Sequence, residues 1–113
     1  MKLIIAIIQP HKLEAVKTEL ENVGVNLMTV TNVVGQGRQK GVTEIYRGAK
    51  EAGGLLNKIR LDIAVNDDFV EPTMEAITKG AHTGSVGDGK IFVVDLVECV
   101  RISSAERGSK AIG

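Results

Sequence analysis

Ile59-Arg60-Leu61-Asp62-Ile63-Ala64-Val65 alternates apolar and other side chains, then yields to Asp67-Asp68-Phe69-Val70-Glu71-Pro72-Thr73-Met74-Glu75-Ala76-Ile77-Thr78-Lys79-Gly80-Ala81. A period of two puts Ile59, Leu61, Ile63 and Val65 on one face of a strand. The next stretch changes to helical spacing, with Val70, Thr73, Met74, Ile77 and Ala81 as its inner stripe. Asp68 and Glu71 have capping-box spacing. Pro72 falls in the first turn, where a missing N–H costs least. Lys90 to Val100 is apolar enough for one long strand. This half of the chain reads strand–helix–strand.

The other half repeats that order. Lys2 to Ile8 is a nearly continuous apolar, β-branched run, suited to a central strand covered on both faces. Pro10 blocks its continuation. From His11, Leu13, Val16, Leu20 and Val23 recur at helical intervals, with Glu14, Lys17, Glu19 and Glu21 on the wet side. Gly24 is placed to end that helix in the left-handed conformation. Leu27 to Val34 is the next strand, with Thr29 and Thr31 on one side of its pleat. Two such units predict an α+β, ferredoxin-like βαββαβ domain with helices on one face of an antiparallel sheet. The sheet's other face also needs cover, because Leu27, Ile59, Phe92 and their neighbours cannot all fit under two helices. Their burial calls for sister copies, so a homo-oligomer is expected.

Composition excludes several classes of function. At 113 residues the chain is one domain, 1–113. Lys+Arg and Asp+Glu both number 14, so no net field draws it to nucleic acid or anionic lipid. Its aromatic residues, Tyr46, Phe69 and Phe92, are too few for a base-stacking sheet. Cys99 has no internal disulfide partner and lies in an apolar run, so it is expected as a buried thiol of a reducing cytosol. Leu3 to Ile8 is too short to span a membrane and lacks a cleavage site. A cytoplasmic protein without direct membrane insertion is expected. Neither His11 nor His82 has Cys or carboxylate neighbours at ligand spacing, which argues against a structural metal site.

Two glycine stretches carry the chemistry. Thr83-Gly84-Ser85-Val86-Gly87-Asp88-Gly89-Lys90 has three glycines within six residues, followed by a lysine at the mouth of an apolar strand. Glycine backbone approaches a ligand closely, and N–H groups backed by a cation suit an anion such as phosphate. Gly35-Gln36-Gly37-Arg38-Gln39-Lys40-Gly41 also follows an apolar strand and is also basic. Two such loops can face one ligand from opposite sides. Neither matches the dinucleotide or P-loop fingerprint: the third glycine is missing from the first pattern, and Ile91 follows Lys90 in the second. Asp88, between two glycines, reads as the cap of its turn, with general base as the alternative. The long hydrophilic segment between Val34 and Lys58 is expected to form a mobile loop, 36–55, with Tyr46-Arg47-Gly48 near its tip. So long a loop in so small a domain is usually functional.

At these residues the chain resembles the PII nitrogen-regulatory signal-transduction family along essentially its full length. The resemblance rests on Ala6-Ile7-Ile8 with Pro10 and Lys12-Leu13, Met28-Thr29-Val30-Thr31, Val34 to Gly41, Tyr46-Arg47-Gly48-Ala49, and Thr83-Gly84 through Gly87 to Val93. It implies a homotrimer with ATP or ADP in the clefts between subunits. Thr29, Gly35 and Gly37 would flank the nucleotide. Arg38, Gly87, Asp88, Gly89 and Lys90 would hold its phosphates, with Arg101 arriving from a neighbouring subunit. Gln39 resembles the residue that ligates Mg²⁺ together with the phosphates and 2-oxoglutarate, and Lys58 the one that pairs with a carboxylate of that 2-oxo acid. Tyr46, Arg47 and Gly48 would contact a partner, either an ammonium-channel-like membrane transporter or a metabolic enzyme. A transporter partner would recruit the protein to the inner face of the membrane.

The chain departs from the family pattern at four positions. Glu51 stands where many relatives carry a uridylylated tyrosine, Ser103 replaces a second phosphate-binding arginine, Asp62 replaces a glutamate, and Gln9 replaces a lysine. The reading that follows is a non-enzymatic trimeric sensor. The alternatives are regulation of a different transporter or enzyme with an altered effector response, or a small ferredoxin-like enzyme acting on a phosphorylated substrate through Asp88 and Lys90.

Overall fold

The structure, a computed structural model, describes residues 1–37 and 54–113. Strand β1 (Lys2–Ile8) leads through a 3-10 turn at Pro10–Lys12 into helix α1 (Leu13–Asn22). Strands β2 (Thr29–Gly35) and β3 (Leu56–Val65) follow. A second 3-10 turn, Asp67–Phe69, opens helix α2 (Val70–Ala81), and β4 (Gly89–Asp95) completes the sheet. The strand order is β2-β3-β1-β4, with every neighbouring pair antiparallel. This is the expected ferredoxin-like arrangement.

β1 is central because its apolar residues have partners on both sides. Ile4 sits between Ile63 and Val93, and Ala6 between Leu61 and Ile91. Ile4, Ala6, Ile8, Ile59, Leu61, Ile63 and Val65 are buried in one cluster with Val16 and Leu20 of α1 and Ala76 and Ile77 of α2. Burying a side chain of this size typically contributes about 1.5–3 kcal/mol. The intervening residues Leu3, Ile5 and Ile7, with Lys58, Arg60 and Asp62, take the opposite, open face by the strand period.

Of Leu27, Ile59 and Phe92, Ile59 shares the period of Leu61 and packs under the helices at 6% exposure, whereas Leu27 and Phe92 remain 65% and 49% exposed. The last strand also stops earlier than expected. β1 begins at Lys2, which pairs with Asp95 in register and through a 2.6 Å contact from its Nζ. Beyond a last backbone bond from Leu96 to Met1, β4 has no strand to follow. Val100 instead bridges Arg107. Cys99 therefore lies outside the strand and is only partly buried. β2 starts at Thr29 rather than Leu27.

One helix end follows its local signal and the other does not. Gly24 adopts φ +82°, its N–H reaches the Glu21 carbonyl at 3.0 Å, and the Val25 N–H reaches the Leu20 carbonyl at 2.9 Å. This Schellman turn swings Val25 into the core, so Val23 is left 37% exposed instead of completing the inner stripe. The capping box does not form, because Asp68 is taken up in the 3-10 turn and Phe69 occupies the N-cap without a side-chain bond. Asp67 instead accepts the N-terminal ammonium at 2.8 Å.

α1 and α2 meet at Gly80. A Cβ there would lie 2.7 Å from Val16 Cα and 2.8 Å from Val16 N, so the contact is with backbone. Such an overlap can be relieved only by moving a helix. Gly80→Ala is therefore expected to destabilise the fold by about 1–3 kcal/mol, read as a lower urea midpoint at unchanged slope.

Candidate functional site

Strand register brings much of the expected site to one end of the sheet. Gly89 and Ile59 both pair with Ile8, and Gly35 pairs with Leu56. The glycine turn before β4, the end of β2 and Lys58 near the start of β3 therefore share an end. A Cβ on Gly35 would touch Lys58 Cγ at 4.0 Å, so backbone and side chain are neighbours there.

The turn demands its glycines. Gly87 has φ +104° and Gly89 φ +117°. A Cβ on Gly89 would come 1.8 Å from the Ile7 carbonyl oxygen, so no other residue fits. That close approach sets Lys90 opposite Ile7, in one row with Arg60 and Thr31 on the open face. Lys90 is exposed.

Asp88 holds the turn together. Its carboxylate accepts the Thr83 N–H at 2.7 Å, the Gly84 N–H at 2.9 Å and the Thr83 hydroxyl. The Ser85 N–H adds a 3.2 Å bond to the same hydroxyl oxygen. The Thr83 hydroxyl, then the backbone N–H groups, pull the Asp88 carboxyl down to about 2, against a smaller opposing effect of partial burial. His82 Nδ1 lies 3.9 Å away. The capping role expected of Asp88 is the one seen. A carboxylate committed in this way is a poor general base, and any anion at the turn meets its backbone N–H rather than its side chain.

Two further donors converge on the turn. Gln9 Nε2 donates to the Gly87 carbonyl at 2.8 Å, and Lys58 Nζ donates to the same oxygen at 3.2 Å. Sequence reading marked Gln9 only as a departure. The available signal was its place one residue beyond Ile8, next in register to Lys58 and Asp88.

Other expected site residues lie elsewhere. Thr29 pairs with Asp62 near the middle of the sheet, roughly 20 Å along β2 from Gly35 at the usual rise per residue. Asp62 is gripped by Arg60, with Nε at 3.0 Å and Nη2 at 2.9 Å from its oxygens. That pairing raises the guanidinium's pKa still further. Arg101 belongs to the far end. Its guanidinium bonds Glu106 Oε1 at 3.0 Å and the Lys110 carbonyl at 3.2 Å, while neighbouring Ser109 accepts from Asn66, just past β3. A single chain thus gathers Gly35, Lys58 and Gly87 to Lys90, but neither Thr29 nor Arg101. Gly37 is open, with nothing within 4 Å of an added Cβ. Arg38, Gln39, Tyr46, Arg47 and Gly48 lie outside the described residues.

A cleft of about 270 Å³ runs beside the turn, floored by Ile8, Ile77 and Ile91 and rimmed by His82, Asp88 and Lys90. Among the described residues no group of three His, Cys, Asp or Glu side chains is placed to hold a metal. No helix among them is long and apolar enough to cross a membrane.

The family model for nitrogen regulatory protein P-II matches residues 1–106. Nitrogen regulatory protein P-II 2 of Methanothermobacter thermautotrophicus is 52% identical over 99% of this chain and 97% of its own. Nitrogen regulatory protein GlnK of Escherichia coli is 44% identical over 99% of this chain and 100% of its own. Among solved structures, Arabidopsis thaliana PII bound to citrate superimposes with a TM-score of 0.80 at 31% identity, covering 98% of this chain and 88% of that one.

The Asp88 clasp has a pH signature. A folded-state pKa below the unfolded value contributes stability that is present above about 4 and is lost as pH falls toward the folded value. The Asp88 carboxyl resonance is expected to titrate near 2, and Thr83→Val to move its midpoint up toward 3.8. An unshifted wild-type midpoint would remove the clasp.

Proposed function

We propose that this chain, which belongs to the nitrogen regulatory protein P-II family, senses adenine nucleotide and 2-oxoglutarate and regulates a partner protein without performing catalysis. The observation that carries the reading is the convergence of a clasped glycine turn, Lys90 and Lys58 at one end of the sheet. Backbone N–H groups held in a fixed turn beside ammonium groups offer what the phosphates of ATP or ADP require. Citrate, the ligand of the Arabidopsis relative, is likewise a multiply charged anion.

In this reading Gly35, Gly37, Arg38, Gly87, Asp88, Gly89 and Lys90 of one copy hold the nucleotide. Thr29 and Arg101 belong to the neighbouring copy in a homotrimer. Their position away from the glycine turn in a single chain supports that assignment. So do the exposed apolar side chains Phe92, Val97 and Ile102, at 49%, 93% and 98% exposure, which a second copy would cover. Mg²⁺ would sit between Gln39, the phosphates and 2-oxoglutarate, since Mg²⁺ binds through phosphates with few protein ligands. Lys58 would pair with the 2-oxo acid carboxylate.

Because that acid chelates a metal brought by ATP, the two ligands report jointly, with a coupling of typically about 1–3 kcal/mol. Loop 36–55, rooted beside the site, carries the signal to a partner through Tyr46, Arg47 and Gly48. An ammonium-channel-like transporter is the first candidate and a metabolic enzyme the second, met in the cytoplasm or at the inner face of the membrane.

Calorimetry tests the reading. ATP is expected to bind at micromolar concentration, and 2-oxoglutarate only once Mg²⁺-ATP is present. Lys90→Ala is expected to weaken ATP about ten- to hundredfold, the range for one charged hydrogen bond. Equal 2-oxoglutarate binding without nucleotide, or full ATP affinity in Lys90→Ala, would overturn it.

A further inference from the structure

Gly87 O is the acceptor of two side chains from different strands, and its peptide group also carries the Asp88 N–H. In a trans peptide the C=O and N–H point in opposite directions, so whatever fixes the Gly87 carbonyl also aims the Asp88 N–H. The peptide needs fixing, because Gly87, at φ +104°, is the residue about which its carbonyl turns, and glycine backbone rotates with little steric resistance. The Asp88 carboxylate restrains Thr83 and Gly84, on the other side of the turn, and leaves this peptide to other groups.

The two donors to Gly87 O differ in kind. Lys58 Nζ, at 3.2 Å, is a cation that an anionic ligand can attract. Gln9 Nε2, at 2.8 Å, is a neutral amide on the shorter contact, and a nearby carboxylate or phosphate pulls far less on it. Gln9 also stands on firm ground. It follows the last residue of β1 directly, with extended backbone (φ −69°, ψ 140°), and its own carbonyl caps the 3-10 turn by accepting the Lys12 N–H at 3.0 Å.

We propose that Gln9 is a positioning residue for the glycine turn: through its Gly87 bond, the shorter of the two, it keeps the Gly87–Asp88 peptide, and hence the Asp88 N–H, in one orientation. The idea rests on the nucleotide reading above, and it gives the departure at position 9 a physical role. A glutamine there supplies the donor without adding a third cation to compete for the ligand.

The test compares Gln9→Leu, Gln9→Lys and Gln9→Glu in the full chain, with ADP as the calorimetric probe and the Asp88 amide resonance of the free protein as a second readout. Leucine removes the donor, lysine restores one, and glutamate offers only acceptors. Gln9→Leu is expected to weaken ADP about three- to tenfold and to shift the Asp88 amide signal. Gln9→Lys is expected to recover both to within about twofold, and Gln9→Glu to do no better than leucine, with urea midpoints that do not follow this ranking. Unchanged ADP affinity in Gln9→Leu would overturn the proposal. So would equal losses in the leucine and lysine variants, which would mean that side-chain shape alone matters. Failure of the unmodified protein to bind ADP would count against the nucleotide reading instead. The Asp88 amide would then decide the role of Gln9 by itself, and an unmoved signal in Gln9→Leu would end it.

Discussion

At Gly89 the backbone of β4 passes so near the Ile7 carbonyl that a single methyl group has no room. That contact sets the register of the edge strand against the central one, and the register places everything else. Lys90 falls in the row of Ile7 and Arg60 on the open face, Ile91 falls beside Ala6 above the core, and the glycine turn is held over the end of β1. A shift of one residue would send Lys90 to the helix face and Ile91 to the open one. The packed core and the cationic edge therefore depend on the same steric fact.

Around that fixed point the polar groups divide the work by charge. Asp88, an anion in a region suited to anions, is consumed by N–H groups and a hydroxyl of its own turn, and its depressed pKa records how completely. Asp62 is likewise occupied by Arg60. With both carboxylates engaged, less negative charge remains to oppose an anionic ligand. Arg101 is committed to Glu106 and the Lys110 carbonyl at the far end of the sheet. Within its own chain it therefore takes no part in the turn.

Much of this was legible in the sequence wherever one local rule acted alone. β1 runs from Lys2 to Ile8 as its apolar run indicates, Gly24 takes the left-handed turn expected of it, and Asp88 caps as its glycine neighbours suggest. Reading failed where a second element decides. β4 ends at Asp95, opposite Lys2 at the start of β1, although the apolar run continues to Val100. A general argument about uncovered sheet faces groups Ile59 with Leu27 and Phe92, whereas its alternation with Leu61 places it under the helices. The capping box lost to a 3-10 turn that delivers Asp67 to the N-terminal ammonium, a partner many residues away. The bond from Gln9 to Gly87 joins positions that become neighbours only once three strands are in register.

The central claim is that the glycine turn proposed to bind an anion is formed before any ligand arrives, built by strand register and closed by Asp88. Amide hydrogen exchange of the intact protein, with and without ADP, tests it most directly. The account predicts that the Thr83 and Gly84 amides are already protected in the free protein, and that the Gly87 and Asp88 amides gain protection only when ADP is added. Fast exchange at Thr83 and Gly84 without ligand, or no change at Gly87 and Asp88 with it, would contradict the account.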